Sequence, residues 1–384
     1  MSFSSLPPVR RPVPLARGRA GARSSMEGFF GNRKITLYAS GTAALSHAIT
    51  GCVSRSSVKS PEVIIPAYGC PDLVAACVSA SVWPRLVEVA TTHWAYEPGS
   101  LEASLSPNTV AIVAVNLLGL GDSCAELIRV CHDRNIPVIQ DSAQYLPRER
   151  TDWPGDYIVL SFGRGKPLNL LHGGALVSPP GAENSSALSP ARYTAREHML
   201  SSRAAAIAFN TLTRPMIYGA LSALPGTGLG EVLYKPLVDA HPLPERAWRQ
   251  VGTAFELYRE EPSYQRRIWA PALEEWTAMG ITALTSPGSP LPAEPLRLAL
   301  LAPDQAARDV LVNRLNRAGL GASRFYGVEL TRVAGVPEMV SCQGPFPNAS
   351  QLARRLFTLP THALVHPDTV RTARKVVLTW HHSQ

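Results

Sequence analysis

Between residues 35 and 180 short apolar runs alternate with segments of helical periodicity. The runs 62–66 (EVIIP), 85–89 (RLVEV), 109–116 (TVAIVAVN), 136–140 (IPVIQ), 157–162 (YIVLSF) and 174–178 (GALVS) predict strands. The stretches 41–53, 72–81 and 122–134 predict helices between them. Several runs are apolar at nearly every position, as strands covered on both faces must be. The expectation is an α/β fold with a large, doubly wound, mostly parallel sheet. Ligands of such sheets bind beyond the carboxyl ends of the strands, so polar residues there deserve the first look.

After residue 180 the pattern breaks. The segment 180–245 is rich in Ala, Pro and Gly, with PGTGLGE at 225–231. Further on, 245–260, 264–279, 303–318, 349–356 and 367–377 read as helices and 295–301 as a strand, predicting a smaller α+β C-terminal domain. The expected division is an N-terminal arm at 1–34, a large domain at 35–245 and a small one at 246–384. The most apolar long stretch, 204–224, has Arg214 and Pro215 at its centre. A central Arg costs ~2.5–3.5 kcal/mol on insertion scales, so no membrane span is expected. A buried helical pair or a surface-attached segment fits better, with peripheral membrane contact through 204–233 as one expectation.

Composition narrows the function classes. The 384 residues are 45% hydrophobic, enough for a sizeable core, and carry a formal charge of +8, which favours anionic ligands. No basic block is interleaved with aromatics, so nucleic acid is not an expected partner. The six Cys form no C-x-x-C pair. Cys124, Cys131 and His132 lie at helical spacing in an amphipathic stretch, where buried free thiols are favoured over ligands, so no metal site is expected. Residues 1–34 lack the apolar run of a secretory signal, and a cytoplasmic location is expected.

Four strand ends carry candidate chemistry. Ser40-Gly41-Thr42 opens a helix, where amides and hydroxyls suit a phosphate, although a plain N-cap explains these residues equally well. Asp141 follows a buried strand, with Gln144 at capping-box spacing. Ser161-Phe162-Gly163-Arg164-Gly165-Lys166 places a lysine just beyond another strand, and His172-Gly173-Gly174 turns into the next. Lysine is scarce: Lys34, Lys59, Lys166, Lys235 and Lys375 are the whole set. A carboxylate after one strand and an amine after the next is the layout of a pyridoxal phosphate site. That cofactor needs an amine for its aldehyde, a carboxylate for its ring nitrogen, and hydroxyls and amides for its phosphate.

SGTAAL, VIIPAYGCPDLVAAC, NLLGL, IPVIQDSAQ and SFGRGK followed by GGALV resemble, in order and spacing, the DegT-type (DegT/StrS) sugar aminotransferases, which are fold-type I pyridoxal phosphate enzymes. GASRFYG and LFTLPTHALVHPDTV resemble that family's small domain. The resemblance implies Lys166 as the cofactor-bearing lysine and proton shuttle, and Asp141 as partner of the ring nitrogen. It implies Gln144 near the ring hydroxyl, Gly41, Thr42 and Ser161 at the phosphate, and Arg324 and Tyr326 near substrate. It further implies a homodimer with shared sites, an amino-acid donor such as L-glutamate, and a keto sugar linked to a nucleotide as acceptor. Two departures stand out. Where the family places an aromatic ring to stack on the cofactor, this chain has Cys70, with Tyr68 as the nearest substitute. The motif whose Asn reaches the partner's phosphate is missing, leaving Asn210 as the nearest candidate. Two alternatives stay open: a lyase or dehydratase of the same fold, although its sugar dehydratases commonly replace the lysine by His, and a non-catalytic homologue acting as a binding or regulatory subunit.

Overall fold

The computed structural model describes residues 5–15, 21–120, 125–149, 151–181, 203–222, 232–261, 268–287, 295–336, 340 and 344–384. Cys124, Cys342, the 225–231 segment and the starts of the helices expected at 122 and 264 lie outside them.

The main sheet has seven strands: β1 Ile35–Tyr38, β2 Glu62–Pro66, β3 Trp83–Val87, β4 Thr109–Val115, β5 Val138–Asp141, β6 Tyr157–Ser161 and β7 Gly174–Val177. Their order is β1-β7-β6-β5-β4-β2-β3, and β7 alone runs antiparallel to its neighbours. Helices α1 Ala22–Phe29, α2 Gly41–Val53, α3 Asp72–Ser79, α4 Pro98–Ser104 and α5 Ala125–His132 accompany it. Both faces are buried, as the continuous apolar runs require. Ile158 and Leu160 of β6 pack with Met26, Phe29 and Phe255, while Tyr157 and Val159 join the cluster of Ala43, Leu45 and Ile49 on α2.

After α6 Arg203–Leu212 and α7 Pro215–Ser222 comes α8 Trp248–Glu260, whose Val251 and Phe255 share a cluster with α1. The segment read as an arm thus supplies a packed helix, and the helix read as opening the C-terminal domain covers the large sheet. The described apolar stretch is a helical pair, but a largely exposed one: α7 has no buried residue, and Met216 is 73% exposed. No helix among the described residues is long and apolar enough to cross a membrane.

The C-terminal part comprises α9 Ala270–Thr277, β8 Thr282–Ala283, β9 Arg297–Leu301, α10 Gln305–Arg317, α11 Pro347–Arg355, β10 Leu356–Pro360 and α12 Pro367–His381. Its antiparallel sheet has the order β10-β9-β8. Leu300, Leu311, Phe357, Leu359 and Val377 build its own core. Several links fix it to the large sheet, two of them at its strand ends. Buried Glu88, just after β3, accepts from the amides of Asn348 (2.9 Å) and Ala349 (2.8 Å) at the start of α11, meeting the unsatisfied donors of a helix N-terminus. The amide of Leu296 donates to Leu118 O at 3.0 Å.

The strand ends meet α2 through bare backbone. A Cβ on Gly174 would lie 2.5 Å from Gly41 N and 2.6 Å from Ser40 O. Gly174→Ala is therefore expected to destabilise the fold by roughly 1–3 kcal/mol, as overpacking does. Gly28→Ala, in α1 with its nearest neighbour at 3.7 Å, should be neutral or stabilising by up to ~1 kcal/mol. Denaturant unfolding of both variants checks the contrast.

Candidate active site

A cleft of about 560 Å³, open mouth included, lies over the carboxyl ends of β4, β5 and β6. One wall is the start of α2. Ser40 caps this helix, its Oγ accepting from Ala43 N at 3.0 Å. The amides of Gly41 and Thr42 are left without intrahelical partners and carry the positive end of the helix dipole. A Cβ at Gly41 would sit 2.7 Å from the Ser161 Cβ, so glycine lets the helix end approach that hydroxyl-bearing strand end. The Thr42 hydroxyl donates to Asp72 Oδ2 at 3.2 Å.

The floor is built from the ends of β4 and β5. Asp141 Oδ1 accepts from Ala143 N at 3.0 Å, and no hydrogen bond among the described residues reaches its other oxygen. Burial raises the Asp141 pKa above the usual carboxylate range; the Ala143 amide and the Lys166 charge oppose that shift, and Asp72 adds to it. Fully buried Asn116 donates from Nδ2 to Ser142 Oγ at 2.6 Å, and its amide donates to Asp141 O at 2.9 Å. Gln144 is held from both sides: Oε1 accepts from Leu118 N at 3.0 Å and Nε2 donates to Tyr326 OH at 3.3 Å. Leu118 sits at φ 55°, a conformation that costs a branched residue of order 1–3 kcal/mol and that this bond helps to hold.

The amine comes from the β6–β7 connection. Phe162, Leu168 and Leu170 are buried in the core beneath it, and the Phe162 amide donates to Gly173 O at 2.8 Å. The turn closes with Lys166 N donating to Gly163 O at 3.2 Å and Gly165 at φ 71°, a left-handed position suited to glycine. Lys166 lines the cleft. Residues 5–15 strap this loop from outside: Val9 packs on Gly165, and Asn169 Nδ2 donates to Arg11 O at 2.6 Å.

The cleft thus brings together Gly41, Thr42, Asp141, Gln144, Ser161 and Lys166. Three expected residues stand elsewhere. Tyr68 is fully buried between Trp94 and Tyr326, its hydroxyl donating to Tyr326 O at 2.9 Å, and it does not line the cleft. Cys70 takes the lining position, and burial pushes its thiol up to about 12. Arg324 points its half-exposed guanidinium to Asp309, 2.8 Å away, on α10. Asn210 makes a two-bond pair with the backbone of Val13, at 2.8 and 3.0 Å. Tyr326 reaches the site indirectly, through Gln144. Gln144 itself is no capping-box partner, since the chain after Asp141 makes a turn and no helix, and its Oε1 accepts from Leu118 N. Asn116 and Asp72 are additional lining residues. Asn116 directly follows β4, so the rule that singled out Asp141 applies to it too.

Two open amides, a hydroxyl, a carboxylate with a free oxygen and an amine form a donor set that fits a phosphorylated aldehyde with a basic ring nitrogen. The described residues contain no cluster of metal ligands.

Residues 24–202 match the model of the DegT/DnrJ/EryC1/StrS aminotransferase family. The L-glutamine:2-deoxy-scyllo-inosose aminotransferase of Streptoalloteichus tenebrarius is 28% identical over 144 residues, 36% of this chain and 33% of that protein. The chain spans two fifths or less of the length of the first curated relatives it matches. The fold is shared over far more: the structure of 3-amino-5-hydroxybenzoic acid synthase superposes with a TM-score of 0.70 at 16% identity, covering 94% of this chain and 90% of that one. DesI, solved in the presence of its TDP-sugar product, gives 0.69 at 19% identity, covering 100% of this chain and 94% of that one. Family match, strand order and strand-end chemistry agree: residues 24–202 carry a DegT/DnrJ/EryC1/StrS aminotransferase domain.

Proposed function

We propose that this protein binds pyridoxal 5'-phosphate and transfers an amino group from an amino acid to the keto group of a sugar-like acceptor. The observation that carries this reading is the convergence of Lys166, Asp141, Ser161 and the α2 amides on one cleft. The amides of Gly41 and Thr42 and the Ser161 hydroxyl hold the phosphate. Asp141 holds a proton at the pyridine nitrogen, and its partly unpartnered, buried carboxylate suits a cationic partner. When bound, the cofactor supplies the aldehyde that accepts the amino group and a ring that withdraws electrons. Lys166 would hold the cofactor through Nζ, and its free amine would be the group that takes and returns a proton at the donor's Cα. Gln144 and Tyr326 brace the wall beside the ring.

A nucleotide-linked keto sugar is the finer reading of the acceptor. Its support is the net positive charge and a structural neighbour solved with a TDP-sugar. The donor is L-glutamate or, as in the name of the Streptoalloteichus relative, L-glutamine. Lys166 in the cleft favours amine transfer over the elimination chemistry of relatives that replace this lysine. A homodimer completes the reading, supported by the exposed apolar side chains of Ile207, Leu212, Met216 and Val238.

The test is a panel of nucleotide-linked and free keto sugars and inososes, incubated with each donor and the cofactor and read by mass spectrometry. Replacement of a carbonyl by an amine in at least one acceptor is expected; none throughout the panel contradicts the proposal. Lys166→Ala should abolish the exchange.

Asp141→Asn should lower turnover by roughly 10²–10³-fold, the usual scale for losing a charge-stabilising group. The same change should raise the melting temperature of the cofactor-free protein at pH 7. A carboxyl whose pKa is raised on folding holds its proton more tightly in the native state. Its ionised form therefore destabilises the fold above that pKa, and the penalty fades as pH falls through it. The gain of the Asn variant should shrink in the same direction, and melting curves from pH 4 to 8 check the sign.

A further inference from the structure

A second group of charges lies at the seam between the two sheets, and no carboxylate among the described residues pairs with it. Arg297, the first residue of β9, is 6% exposed, and neither its Nε nor its Nη2 has a hydrogen-bond partner among the described residues. These two atoms form one edge of the guanidinium, the edge that grips two oxygens of a carboxylate or phosphate side by side. Arg10, on the N-terminal strap, also has a buried, unpartnered Nε.

The surroundings are cationic or neutral. The charge that bears on Arg10 is Arg214, at the start of α7. Tyr218, a turn further along α7, is the neighbour that bears on Arg297, and burial raises its phenol further above the working pH, so it stays neutral. His362 lies just beyond β10, whose Pro360 pairs with Arg297. Its Nε2–H donates to Pro7 O at 2.9 Å and its Nδ1 accepts from Leu364 N at 3.4 Å, so the ring is neutral. Burial, together with Arg10 and Arg297, holds its pKa down to about 4. Burial likewise lowers Arg297 to about 9.

A buried guanidinium without a counter-ion is strongly unfavourable, so the fold carries a cost here that a bound anion would relieve. The position ties this group to the cleft from two sides. Val9, next to Arg10, packs on Gly165, next to Lys166. Leu296, next to Arg297, donates its amide to Leu118, in the loop that walls the cleft.

We propose that Arg297 and Arg10 form an oxyanion-binding site at the seam beside the cleft, which takes the carboxylate or phosphate end of a small ligand. Its existence does not depend on amine transfer; only the identity of the ligand as donor or acceptor rests on the proposed function.

The test uses the full-length protein loaded with pyridoxal phosphate, so that the phosphate part of the cleft is filled. Melting temperature is followed against sodium pyrophosphate, against sodium glutarate, and against sodium chloride at matched ionic strength. At millimolar concentrations at least one oxyanion should raise the wild-type melting temperature by roughly 2–5 °C beyond chloride. A response to pyrophosphate alone identifies a phosphate ligand, and a response to glutarate alone a carboxylate. Arg297→Met should remove the response, and Arg297→Lys, which keeps the charge but lacks the two-pronged edge, should weaken binding by about 10-fold or more. Arg10→Ala should also weaken it, and tests the site if Arg297→Met does not fold. No response beyond chloride in the wild type, or an undiminished response in the Arg297 and Arg10 variants, overturns the proposal. Loss of amine transfer with this response intact would count against the proposed function alone.

Discussion

The contact between Gly174 and the start of α2 is the constraint on which the site depends. β7 reverses direction against β6 and β1, and at its first residue there is no room for even a methyl group beside Gly41 and Ser40. That closeness sets the helix end against Ser161 and puts two open amides at the mouth of the sheet. The same reversal turns the β6–β7 connection into a short, anchored loop instead of a helical crossover. With Phe162, Leu168 and Leu170 buried beneath it, the loop has little freedom, and Lys166 is delivered to the same cleft as Asp141. A parallel β7 would have required a long crossover and carried the lysine elsewhere.

Much of this was legible in the chain. Continuous apolar runs gave the strands, strand ends gave Asp141, Ser161 and Lys166, and the scarcity of lysine sharpened the last. What failed depends on where side chains point and what lies far away in sequence. Tyr68 is in the expected turn, but its ring enters the core against Trp94 and Tyr326, and Cys70 lines the cleft instead. Arg324 is drawn to Asp309, and Asn210 to the backbone of Val13; neither partner is signalled by local pattern. Residues 5–15 lack periodicity because their backbone bonds go to other segments, among them Leu6 to Gly319 and Arg11 to Asn169. Four-residue β1 and the strand β10, which directly follows a helix, are too short or too masked by neighbouring pattern to stand out.

Two buried charges among the described residues keep polar atoms without a hydrogen-bond partner, and they have opposite signs. Asp141 faces the cleft with one oxygen unpartnered, and Arg297 lies at the seam with one guanidinium edge unpartnered. Each is costly in isolation and favourable beside the right ligand: a protonated ring nitrogen for the first, an oxyanion for the second. On the proposed readings, binding would recover the stability given up at both places, as in preorganised sites that gain selectivity for charge. The strap at 5–15 touches both regions, through Val9 at the lysine loop and Arg10 at the seam.

The central claim is that Lys166 is the residue that carries the cofactor. Reducing the pyridoxal phosphate-loaded protein with borohydride and mapping its tryptic peptides measures this directly. The cofactor should be fixed to a single peptide, the one containing Lys166. Attachment to Lys34, Lys59, Lys235 or Lys375, or no attachment at all, would contradict the account.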